Sequence, residues 1–155
     1  MRQERTQRDA VRQRLEQLTA EKEALELDNR EIRLHLDERE IKDLRMRKTA
    51  IYVWFHTPEH WDAIRENSPQ WKELEERVNE VYPGVSQTLL RHYPKIKTSE
   101  LHVCLLVKIG ISVSGMARIM DLTKSAISNI RIRLYEKIFE DKGSTDDFDK
   151  FILGL

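Results

Sequence analysis

Hydrophobic residues along this chain fall into three patterns. In the first, from residue 11 to 36, they are sparse and seven-spaced. With Leu15 at heptad position a, the a series is Leu15, Lys22, Asn29 and Leu36, and the d series is Val11, Leu18, Leu25, Ile32 and Arg39. Aliphatic d residues with a single Asn at a predict a parallel two-stranded coil, because the two asparagines hydrogen-bond only in register. Asp28 at g and Arg33 at the following e attract across that pair, while Glu21 and Glu26 repel. A second apolar row, Leu27, Leu34, Ile41, Leu44 and Ile51, predicts that the seam shifts near residue 36. The helix is expected to end in the apolar run 51–55, which closes a segment 1–57.

The second pattern, 58–94, consists of short amphipathic stretches punctuated by proline. Thr57-Pro58 and Ser68-Pro69 each place a capping residue before a proline at the first helical position, which predicts helices over 58–66 and 69–81. Trp71, Leu74, Val78 and Val81 share one face of the second. Tyr82-Pro83-Gly84 breaks it, and a further short helix starts at Val85, carries Leu89 and Leu90, and stops at Tyr93-Pro94. Trp54, Trp61 and Trp71 are expected to cement the long helix to the C-terminal domain. A ligand pocket is the second reading of the same tryptophans.

The third pattern, 95–155, is a series of short helices with tight joints. Thr98 is expected to cap the first, with Glu100 near its positive end and Val103, Leu106 and Val107 inward. Gly110 falls where a helix ends in a left-handed residue. Ser112 caps a second helix with Met116, Ile119 and Met120 inward. Thr123 caps a third over about 124–138, with Ile127, Ile130, Leu134 and Ile138 inward. Residues 144–147 start a fourth, faced by Phe148, Phe151, Ile152 and Leu155. The expected fold is all-α: a long N-terminal coiled-coil helix (1–57), a helical linker (58–94) and a four-helix helix-turn-helix domain (95–155).

Charge sharpens this picture. The 27 basic and 27 acidic residues cancel overall, yet they are segregated. Residues 59–81 hold three basic and seven acidic side chains, residues 95–139 hold eight and three, and residues 140–150 hold two and five. A segment of net charge +5, from eight minus three, between acidic neighbours is a nucleic-acid footprint that the bulk balance conceals. On the third helix, a rotation of about 100° per residue turns Ser125, Asn129 and Ile132 away from the inward row, with Ser128 and Arg133 on the flanks. Asn129 suits an adenine edge, Arg133 a guanine edge or a phosphate, and Ile132 a thymine methyl. Lys124 and Arg131, with Lys95, Lys97, Lys108 and Arg118, are candidates for phosphate contacts that hold register without reading sequence.

These residues resemble the DNA-binding domain of LuxR-type transcription regulators. The matches are Thr98, Glu100, Gly110, Ser112, Met116-Ala117, Met120, Thr123, Ile127, Leu134 and Lys137. The family often has Lys where this chain has Ser128. Trp71-x-x-Leu74, the run 78–84, Tyr93-Pro94, Arg133-Leu134-Tyr135 and Asp149-x-Phe151-Ile152 are similar to a Bacteroidetes group within it. Members of that group often carry tetratricopeptide repeats, a membrane helix and a coiled coil before this module. The resemblance implies a sequence-specific double-stranded DNA-binding regulator. With Leu15, Leu18, Leu25, Asn29, Ile32 and Leu36 on the seam, a homodimer is expected, with RNA polymerase or an upstream sensor as further partners. The rival expectation is a coiled-coil signalling protein whose helix-turn-helix contacts a protein.

Other chemistry is thin. The single Cys104 lies in an apolar run and is expected in the core, which suits a reducing cytoplasm. The polar N-terminus and the lack of any apolar run near the ~20 residues of a bilayer span give no expectation of a membrane segment in this chain. His56 and His60 are four apart but straddle Pro58 without a third ligand. No catalytic residue, metal or cofactor is expected.

Overall fold

The computed structural model describes the backbone of residues 2–155 and the side chains of residues 5–34 and 37–155. Helices α1 (Arg2–Arg47), α2 (Ala50–Phe55), α3 (Pro69–Val81), α4 (Val85–His92), α5 (Thr98–Lys108), α6 (Val113–Met120), α7 (Lys124–Phe139) and α8 (Thr145–Leu153) succeed one another, with a 3₁₀ turn at Pro58–Ala63. The fold is all-α, and no strand occurs among the described residues. Nor, among them, is any helix long and apolar enough to cross a membrane. The chain divides into two units, Met1–Ile41 and Lys42–Leu155.

The first unit is helix. Val11, Leu15, Leu18, Leu25, Leu27, Ile32 and Leu34 are all about half or more exposed within the single chain, and Asn29 is exposed among them. Leu36, expected on the same seam, has a side chain outside the described residues.

The long helix stops at Arg47, short of its expected end in the apolar run 51–55. Lys48 and Thr49 form a turn, and Thr49 caps α2 by accepting from the Tyr52 N–H at 3.3 Å. The apolar run 51–55 is therefore a separate short helix that buries Ile51 and Phe55. Two expected caps also differ. Thr57 Oγ1 donates back to the Val53 carbonyl (2.7 Å), and Ser68 Oγ accepts from the Arg65 N–H (2.8 Å) in the preceding loop. Pro58 then opens only the 3₁₀ turn, and neither that turn nor α3 has a side-chain cap. Pro69 does open α3.

Helix α5 sits at the centre of the second unit, packing on α3, α6, α7 and α8. Every residue from His102 to Lys108 is buried, which explains why its sequence is nearly continuous rather than striped. Truncating a fully buried leucine such as Leu106 here costs about 2–5 kcal/mol. Its start lies one residue from expectation. Lys97, not Thr98, occupies the cap position, and Glu100 accepts from the Lys97 N–H at 2.9 Å. Its end is as expected: Gly110 takes φ 76°, and the Ile111 N–H reaches the Leu106 carbonyl at 3.0 Å.

The later helices bury the expected stripes. Met116 and Ile119 of α6, Ile127, Leu134 and Ile138 of α7, and Phe148 and Ile152 of α8 are in the core, while Met120, Ile130, Phe151 and Leu155 are half-buried against it. Cys104 is buried among them, and burial raises its thiol pKa, with Glu100 adding to the effect.

Candidate nucleic-acid interface

Helix α7 is positioned by its cap and by the joint before it. Asp121 closes α6 in the left-handed region at φ 53°, and the Leu122 N–H reaches the Ala117 carbonyl at 2.9 Å. Asp is among the few residues that adopt this conformation at modest cost. Thr123 Oγ1 then accepts from the Ala126 N–H at 3.0 Å and starts α7, as Ser112 does for α6 through the Gly115 N–H at 3.1 Å. The joint thus turns the chain in three residues, and α6 packs on α7.

One side of α7 is polar and uncommitted. Lys124, Ser125, Asn129 and Arg133 are exposed, and Ser128 and Ile132 are half-buried at its margins. Among the described residues, none of the five polar side chains makes a hydrogen bond or ion pair. Their spacing spans about three turns of helix, and Lys124 and Ser125 lie in the first turn, where unsatisfied N–H groups favour an anion.

The other cations expected at phosphates divide sharply. Arg131 is 5% exposed. Its guanidinium grips Asp149 of α8 bidentately, with Nε donating to Oδ1 at 3.1 Å and Nη2 to Oδ2. It fastens α8 to α7 and is withdrawn from any phosphate. Lys108 is likewise buried: Nζ donates to the Leu153 carbonyl at 3.0 Å and lies 4.0 Å above the Tyr82 ring. Both expectations are corrected by burial that the residue type alone does not reveal. Arg118 remains half-exposed but pairs with Asp62 at 3.1 Å and lies over Trp61. Lys137 meets Glu100 at 3.6 Å, and Tyr93, ahead of Glu100, holds its ammonium pKa up. Lys95 and Lys97 are exposed, and no partner engages their ammonium groups among the described residues.

Trp61 and Trp71 join the linker to α5 and α6, while Trp54 stacks on His60. Trp61 Nε1 donates to the Phe55 carbonyl (2.7 Å), and Trp71 Nε1 donates to the Arg65 carbonyl (2.9 Å). Trp71 stacks on His102 at 3.8 Å with the rings 5° apart. Gly115 of α6 lies so close to Trp61 that an added Cβ would stand 3.0 Å from the ring and 2.8 Å from Ile111 Cγ2. The two histidines considered for a metal are backbone clasps. His56 Nε2 meets the Ile109 carbonyl at 2.8 Å and His60 Nδ1 the Trp54 carbonyl at 2.9 Å. His102 and Gly115 escaped sequence reasoning, since a histidine inside an apolar run and a glycine inside a helix carry no signal of their neighbours.

No family model, curated protein or solved structure matches this chain.

Proposed function

We propose that this chain is a sequence-specific double-stranded DNA-binding transcription regulator of LuxR-like type that acts as a homodimer. The observation that carries the reading is the contrast on α7: Lys124, Ser125, Asn129 and Arg133 are exposed, with Ser128 at the margin, and have no partners among the described residues, while Arg131 is tied inward. In this reading α6 and α7 are the helix-turn-helix, and α7 enters the major groove. Asn129 and Arg133 read base edges, Lys124 and Lys97 hold phosphates, and Ile132 touches a thymine methyl from the margin. Arg118 contributes to a phosphate only by leaving Asp62.

One module of this size buries roughly 600–1,000 Å² on DNA, which is modest. Pairing through Leu15, Leu18, Leu25, Asn29, Ile32 and Leu36 would make the second module's binding intramolecular, a gain of about 10²–10⁴. Selection of random oligonucleotides with the purified chain tests the reading. Enrichment of duplexes bearing two half-sites at fixed spacing is expected, and a pool that stays random would count against it. Asn29→Leu is expected to loosen the oligomeric state in sedimentation, since it removes the residue that fixes register.

A further inference from the structure

Where the 3₁₀ turn, α3 and α5 meet the joint between α6 and α7, a cavity of about 650 Å³ opens. That is within the range of small-molecule pockets. The linker supplies Ile64, Trp61 and Trp71 to its walls, and Ile119, Leu122 and Ile130 come from the α6–α7 side. His102 lines it from α5, lying flat against Trp71 and only 5% exposed. Neither ring nitrogen has a partner among the described residues, and Nδ1 is wholly buried. Nδ1 is thus closed to a ligand, and Nε2, which is not wholly buried, is the nitrogen left to meet one. Burial also keeps this imidazole neutral, with its pKa lowered to about 4.

The charges around the cavity are unevenly committed. Arg118 is engaged by Asp62, and Arg65 donates to the Asp62 and Ile64 carbonyls at 2.9 and 3.0 Å. The carboxylates of Glu66 and Asp121, which also line the cavity, have no partner among the described residues. Aromatic and apolar walls take a flat ring, a neutral imidazole accepts a ring N–H, and unpaired carboxylates attract an ammonium and repel an acid. We propose that this cavity is a binding site for a flat aromatic amine of one or two fused rings. Met120, Asp121 and Leu122 line it at the joint that leads into α7, so occupancy bears directly on how that helix is held.

Calorimetric titration of the full chain with tryptamine, and with indole-3-propionate as the same ring bearing an acid, tests the site. Tryptamine is expected to bind one to one with Kd on the order of 10⁻⁴ M, about tenfold or more tighter than the acid. Glu66→Gln, an exposed and structurally neutral change, is expected to weaken tryptamine about two- to fivefold. His102→Phe keeps the stack on Trp71 and removes the acceptor, for a loss of about three- to tenfold. Absence of saturable binding up to about 10 mM, equal binding of the amine and the acid, or Glu66→Gln and His102→Phe both binding as wild type overturns the proposal. No DNA is present, so the result is independent of the DNA reading.

Discussion

Two arginines, two residues apart on α7, live in different worlds. Arg131 is buried against Asp149, whereas Arg133 is exposed and has no partner among the described residues. A two-residue step turns a helix by about 200°, enough to carry one side chain into the core side and its neighbour to solvent. The same composition thus supplies a fastening between helices on one side and an available donor on the other. Net charge cannot distinguish the two uses, but burial and hydrogen bonding do. The basic segment 95–139 loses Lys108 and Arg131 to internal contacts, and what stays outward is concentrated on α7 and near Lys97.

The largest expected effect breaks the inward half of this comparison. Arg131→Ala leaves Asp149 without its partner and opens the α7–α8 contact. It is expected to lower unfolding free energy by about 3–4 kcal/mol, the low end for a broken buried pair because Asp149 keeps some access to water. Urea denaturation checks this, and a loss below about 1 kcal/mol would mean that the pair does not fasten α8.

His102 sets the next effect, through pH. The unfolded chain protonates this histidine near pH 6.5, but the folded chain does so only near pH 4. Between those values the unfolded state holds the extra proton, so stability falls as pH drops from 6.5 to 4 and is fully present only above that window. The contribution is on the order of 3 kcal/mol. His102→Phe is expected to flatten that part of the wild-type stability curve; parallel curves for the two proteins would contradict the burial argument.

Gly115→Ala tests how tightly the linker is seated on α6. The new methyl meets Trp61 and Ile111 inside normal contact distance, and overpacking of this kind costs about 1–3 kcal/mol. A melting temperature equal to that of wild type would show that Trp61 yields without cost. Smallest of all should be the effect of Arg133→Ala on stability, within about 0.5 kcal/mol, because nothing among the described residues holds that side chain.

Legibility in the sequence tracks the range of the interaction concerned. Ser112, Thr123 and Ser144 cap their helices, and Gly110 ends one in a left-handed turn, because each rests on amides within a few residues. The inward rows of α6, α7 and α8 are visible in the periodicity for the same reason. The break at Lys48-Thr49 is hidden, since neither residue forbids a helix and the cap on Tyr52 competes only slightly with continuation. Thr98 misses the cap by one place: α5 starts after Lys97, whose own N–H is taken up by Glu100 from within the helix, the reverse of the bond a capping side chain makes. Arg131 and Lys108 are misleading as cations because their partners, Asp149 and the Leu153 carbonyl, are remote in sequence. The outward set on α7 is legible as a face, while its lack of partners requires the fold.

The most direct test of the outward face is binding of the full chain to a selected duplex and to a scrambled one, monitored by fluorescence anisotropy across a salt series. Wild-type affinity should fall linearly in log–log form as salt rises. Arg133→Ala should cost about 1–3 kcal/mol on the selected duplex and much less on the scrambled one. Lys124→Ala should weaken both alike and reduce the salt slope by about one. Affinity indifferent to salt, or unchanged in both variants, would contradict the assignment of α7 to DNA.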